Sequence, residues 1–257
     1  MLVALAAIGA CRAQPDAPQD NRTGNVPIAA NVALPEPPRA LEPAPVLQRR
    51  DLLLAAIQAR SAAATGADDR EAQGPLDRQR FEFRIRLGCT IVAPDREAEA
   101  EATFNPESRR LNLRVAPGIS LENPLVAALA GEGVEAAEGF WVRWPWLLVP
   151  SCAGDPSAQP EIGLVQLFTD QEPRTERRDG RPYEAAATLP EAAGPPAPGR
   201  WELVLRGRLR QHGDSRVIHC RPPSAGAMPV CLISVKFEQV SVEDVETGEE
   251  LAQWGRG

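Results

Sequence analysis

Arg80-Phe81-Glu82-Phe83-Arg84-Ile85-Arg86-Leu87-Gly88-Cys89 decides the fold class. Phe81, Phe83, Ile85 and Leu87 fall on one side of an extended chain, and Glu82, Arg84 and Arg86 on the other. Strict period-two alternation marks a strand with one face on a core and one in water. The pattern recurs on both arms of a second segment. Ala98, Ala100, Ala102 and Phe104 alternate with Glu97, Glu99, Glu101 and Thr103, and Leu111, Leu113 and Val115 with Arg110, Asn112 and Arg114. Asn105-Pro106-Glu107-Ser108 between them is turn chemistry, so a hairpin is expected, with its glutamates facing Arg110 and Arg114. In 201–210, Trp201, Leu203, Leu205 and Leu209 point inward, and Glu202, Val204, Arg206, Arg208 and Arg210 outward. Residues 161–169 form an apolar strand, 216–220 and 230–242 a further pair, and 245–254 folds back through Glu246-Thr247-Gly248-Glu249.

Two helices interrupt the strands. Leu52, Leu53, Ala56, Ile57 and Arg60 share helical spacing within 51–64, and Gly66 follows as a C-cap. Asn123 and Pro124 supply an N-cap and a first-turn proline for a short helix to Ala130, closed by Gly131. The stretches 65–75 and 132–138 read as links, and 171–199 as a long surface loop. The expected fold is mainly β: an antiparallel sandwich or open barrel of about nine strands with two short packing helices.

The N-terminal region has a different character. Leu2 to Ala10 is a short apolar run, too short to span a bilayer as a helix, and it fits the apolar part of a secretory signal peptide. It ends in Ile8-Gly9-Ala10-Cys11, which resembles the lipobox of bacterial lipoproteins. The resemblance implies that Cys11 is acylated and becomes the mature N-terminus. Cleavage after Ala13, which removes Cys11, is the alternative. Arg12 after the cysteine, rather than an aspartate, leans toward the outer membrane. Eight prolines then fall between residues 12 and 45 among small and polar residues, a composition with too little apolar surface to offset its ordering entropy. The expected layout is a signal peptide over 1–10, a disordered tether over 11–45 and one β-rich domain over 46–257, on the periplasmic side of the envelope and held to the membrane through lipid on Cys11.

Net charge is −7, and Lys236 is the only lysine beside an abundance of arginine. A nucleic-acid partner asks for clustered positive charge, so none is expected. The arginine bias follows from a GC-rich coding sequence and carries no function.

Four further cysteines, Cys89, Cys152, Cys220 and Cys231, form an even set in an exported chain and read as two disulfides, Cys220–Cys231 and Cys89–Cys152. The competing use of His212, His219, Cys220 and Cys231 as metal ligands fits no common zinc spacing. No metal or cofactor is expected. The chain carries no nucleophile elbow, P-loop, dinucleotide fingerprint or His-Glu-x-x-His, so no catalytic residue is assigned. Three of the five tryptophans cluster in the stretch from Gly139 to Cys152. Pro145 there argues for an edge or a bend. Packing accounts for most such rings, and Trp141, Trp144 and Trp146 remain the candidate ligand or partner surface. These features describe an envelope binding or structural module. The alternatives are an envelope hydrolase acting on carbohydrate or peptide, with paired acids beside Trp141 and Trp146, and a subunit of a larger envelope assembly with an envelope protein partner.

Overall fold

In a computed structural model the chain divides into two units, residues 1–42 and 43–257. The structure describes residues 45–87, 100–142, 146–152, 162–191, 197 and 199–255, all in the second unit. The lipobox with Cys11, the proposed tether, Cys89 and Trp144 lie outside the described residues.

The described elements are α1 (Arg49–Thr65), α2 (Arg70–Gln73), β1 (Arg80–Arg86), β2 (Ala100–Asn105), β3 (Arg110–Val115), α3 (Pro124–Ala130), β4 (Val134–Val142), β5 (Ile162–Thr169), β6 (Tyr183–Thr188), β7 (Trp201–Leu209), β8 (Ile218–Arg221), β9 (Val230–Asp244) and β10 (Glu250–Gly255). They form a seven-stranded sheet and a three-stranded sheet, β2-β3-β6, both open. The fold is mainly β, as the alternation predicts.

β9 is the hub. One of its edges takes β8 on its first half and β7 on its second; β5 and β10 likewise divide the other edge. Its first half, Val-Cys-Leu-Ile-Ser-Val, is rich in β-branched residues and buried on both faces from Cys231 to Val235. One face meets the main core, with Ile233, Phe83 and Leu205. The other meets a smaller cluster of Ile119, Val126, Leu129, Trp141, Val165 and Leu232. Such two-sided burial suits the parallel pairing of Ile162–Val165 with Cys231–Ser234. The chain between β5 and β9 is long enough to return β9 in the same direction.

The register of β9 against β7 slips between Arg206 and Gly207. Glu238 is the extra residue of this bulge, which bends the strand midway. The close approach requires glycine: a Cβ on Gly207 would stand 2.0 Å from the Lys236 carbonyl oxygen.

α1 buries Leu52, Leu53, Ala56 and Ala59 against the core. Its first turn is closed by the Gln48 N–H donating to Asp51 Oδ2 at 2.8 Å, and its last by Gly66 at φ 70°. Arg49 clamps its start, donating to the carbonyls of Leu147 at 2.9 Å and Arg84 at 3.1 Å; burial lowers its pKa to about 10. Asn123 caps α3 by accepting the Leu125 N–H at 2.9 Å, as its sequence predicts.

The outward residues of β1, β7 and β9 form a lattice of opposite charges. Arg84 reaches Glu82 at 2.8 Å, Glu202 at 3.2 Å and Glu243 at 2.8 Å, and Arg206 reaches Glu82 and Glu243, each at 2.8 Å. Val204 and Ser241 lie in register with Arg84 on this face and are fully buried, so the polar face of the sheet is itself packed.

Three segments differ from the sequence expectation. β6 lies inside the stretch read as a surface loop, β4 begins within a link, and α2 within another. Glu184-Ala185-Ala186-Ala187 has no β-branched residue; its strand conformation comes from pairing with Arg110–Val115. β4 carries a register shift between Val134 and Ala136, which breaks its alternation.

Cys220 and Cys231 face each other across β8 and β9 and are disulfide-bonded. Cys152 is disulfide-bonded as well. Reducing Cys220–Cys231, which closes a loop with a sequence separation of 11, is expected to lower unfolding stability by about 3 kcal/mol. Urea midpoints of the wild type and of a Cys220→Ala/Cys231→Ala variant measure it. Among the described residues, no helix is long and apolar enough to cross a membrane.

Candidate functional site: a cleft where the sheet splits

Beyond its bend, β9 exchanges one neighbour for another. β5 pairs with it as far as Val165 opposite Ser234, and β10 joins at Gly255 opposite Gln239. Between these points the β9 edge faces a gap. The Phe237 N–H, which a neighbouring strand would otherwise take, donates to Gln166 Oε1 at 3.0 Å. The gap opens into a cleft of about 570 Å³. Gln166→Ala leaves that N–H without its acceptor and is expected to cost about 1 kcal/mol. Faster amide exchange at Phe237, with the rest of β9 unchanged, is the matching local signature.

The chain has only one tyrosine, six phenylalanines and five tryptophans, yet Phe140, Phe168, Tyr183, Phe237 and Trp254 all line this cleft. The rings of Phe140, Tyr183, Phe237 and Trp254 meet edge to face or tilted. Centroids lie 5.9 Å apart for Phe140 with both Tyr183 and Phe237, and 5.4 Å for Tyr183 with Trp254. Burial within this cluster pushes the Tyr183 hydroxyl up to about 12.

The loop before β6 forms the charged wall. Its backbone N–H groups at Arg178 and Asp179 both donate to Glu138 Oε1 at 2.7 Å. Burial raises the pKa of this carboxyl, and the two N–H groups offset part of the rise. Arg177 donates to Glu135 at 2.8 Å and to the Thr169 carbonyl at 3.1 Å, and lies over Phe168. Arg178 lies 4.0 Å over the Tyr183 ring. On the facing strand, Lys236 stands 3.9 Å from Glu176. The site therefore combines an aromatic floor with polar groups of both signs, a composition suited to holding an amphipathic ligand.

The described residues singled out in the sequence fall elsewhere. Trp141 is 9% exposed and donates its indole N–H to the Gly118 carbonyl at 3.1 Å, so it is a core ring and offers no surface. Trp146 is 54% exposed. His212 and His219 meet edge to face at 6.1 Å, and His219 Nε2 donates to the Arg216 carbonyl at 3.1 Å. Burial lowers the His219 pKa. With Cys220 and Cys231 joined, the four do not form a ligand set, and no metal-holding group occurs among the described residues. The cleft residues had one signal in the sequence, the lone lysine at position 236 beside Phe237 in an otherwise arginine-based chain.

No family model matches the chain, and no curated protein or solved structure does.

Proposed function

We propose that the protein is an exported module of the bacterial cell envelope, anchored through lipid on Cys11, that binds an extended ligand in the cleft between β5 and β10. The apolar N-terminal run, the lipobox resemblance and the disulfide pair support the location. The single observation that carries the binding reading is the concentration of aromatic rings in the gap of the sheet. The hydrolase reading is weaker. Glu138, whose pKa is raised, is committed to holding the loop before β6, and Glu238 pairs with Arg208 at 2.9 Å.

Two measurements test the proposal. The intact mass of protein taken from a membrane fraction should match a chain beginning at an acylated Cys11; an unprocessed chain overturns the location. Lys236 is the sole lysine, so an amine-acetylating reagent reports on one wall of the cleft. Soluble fragments of digested cell wall should slow acetylation of Lys236. No protection at millimolar fragment rejects the cleft as the binding site.

A further inference from the structure

The cleft continues past Lys236. A second cavity of about 260 Å³ shares Gln166, Glu176 and Lys236 with the first, so these three form a ridge between two lobes. The hydrogen-bonding inventory of this groove is uneven. Its carboxylates are engaged: Glu138 with two backbone N–H groups, Glu172 with the N–H and hydroxyl of Thr169 at 2.7 and 2.6 Å, Glu238 with Arg208, and Glu176 with Lys236 at 3.9 Å. Donors are left over. Arg177 is 8% exposed and lines the larger lobe, and its Nε has no acceptor among the described residues. Ser234 is 3% exposed and lines the smaller lobe, and its hydroxyl has no partner there either. Gln166 spends its oxygen on Phe237 and keeps its NH₂. The ammonium of Lys236 stands near Glu176 at 3.9 Å, beyond hydrogen-bond length. Arg177 Nε and the Ser234 hydroxyl are closed to solvent, whereas Gln166 and Lys236 are half-buried and are the donors a ligand can reach.

We infer that the group recognised on this ridge is a carboxylate, the C-terminal carboxylate of a peptide, held by Lys236 and the Gln166 amide with its last side chain against Phe237 and Trp254. The inference rests on reading the cleft as the binding site. An acidic sugar would offer the same carboxylate. The peptide is favoured because the half-buried rings of Phe237 and Trp254, beside the ridge, suit one apolar side chain.

The test uses the full-length protein and acetylation of Lys236 read by mass spectrometry. Three probes are compared: N-acetyl-Ala-Ala-Phe with a free carboxylate, the same peptide as its C-terminal amide, and glucuronic acid. The free acid should slow acetylation about tenfold more than the amide, the scale of one charge-assisted contact. In a binding titration followed by tryptophan fluorescence, Lys236→Gln should weaken the free acid about tenfold, and Lys236→Arg should retain most of its affinity. Equal protection by acid and amide overturns the inference. Protection by glucuronic acid but not by the peptide assigns the carboxylate to a sugar and overturns the peptide. If cell-wall fragments protect Lys236 while neither peptide does, the cleft stands as a binding site and the carboxylate inference alone falls.

Discussion

Gly207→Ala is expected to lower unfolding stability by about 3 kcal/mol or more, a large part of what a domain of this size possesses. The added Cβ would sit 2.0 Å from the Lys236 oxygen, 3.0 Å from its carbon and 3.2 Å from the Glu238 nitrogen. All three are backbone atoms, so no side chain can rotate away. Relief requires β7 to move off β9, and that pairing joins β1 and the whole main-core face to the hub strand. The clash falls at the bulge that bends β9 where the cleft opens, so the variant should also lose ligand protection of Lys236 before it loses global structure. Gly74→Ala is the control, because nothing lies within 4 Å of its added carbon and its φ is −49°. Urea midpoints for the two variants should differ widely. A shift below about 1 kcal/mol for Gly207→Ala would show that β7 yields there at little cost.

The contrast between legible and illegible parts follows from where the information resides. β1 and β7 each carry their own alternation, so local pattern sufficed to place them. α3 was legible because Asn123, Pro124 and Gly131 mark both its ends. β6 was not, because its alanines have no strand preference and its conformation depends on β3. The outward charges of β1 were visible as a solvated face. Their closure over Val204 was not, because Glu82 meets Arg206 and Arg84 meets Glu243 only through the strand order. The cleft was illegible for the same reason. Glu138, Gln166, Arg177, Lys236 and Trp254 come from five segments, and the gap that gathers them arises from one strand changing partners. Trp141 follows the packing reading of the tryptophan-rich stretch: its side of β4 packs against Ile119 and Leu232.

Asp244→Ala is expected to cost about 3 kcal/mol at pH 7, and the loss should shrink as pH falls. Asp244 is 5% exposed where β9 turns toward β10. One oxygen accepts from Arg200 Nε at 2.8 Å; the other accepts the N–H groups of Glu246 at 2.8 Å and Thr247 at 3.3 Å. Burial alone would raise its pKa, but Arg200 and the two N–H groups outweigh it and hold the carboxyl below its ordinary value. A depressed folded pKa means that the stabilisation is complete above the unfolded value, near 4, and is lost as pH falls through the folded one. Wild type and Asp244→Ala should therefore differ most near neutral pH and converge in acid. Asp244→Asn separates the two contributions: it can still accept the turn N–H groups but gives Arg200 no countercharge, so its loss should be smaller than that of Asp244→Ala at every pH, with the same decline toward acid. A cost that stays constant from pH 7 to pH 3 would mean that the carboxylate charge contributes nothing and that only the turn hydrogen bonds matter. The turn also sets the entry of β10, which carries Trp254 into the cleft. Destabilising it should raise amide exchange along Glu250–Gly255, which enters the sheet from the turn, and at the Val245 N–H, which donates to the Arg200 carbonyl at 2.9 Å just before β7.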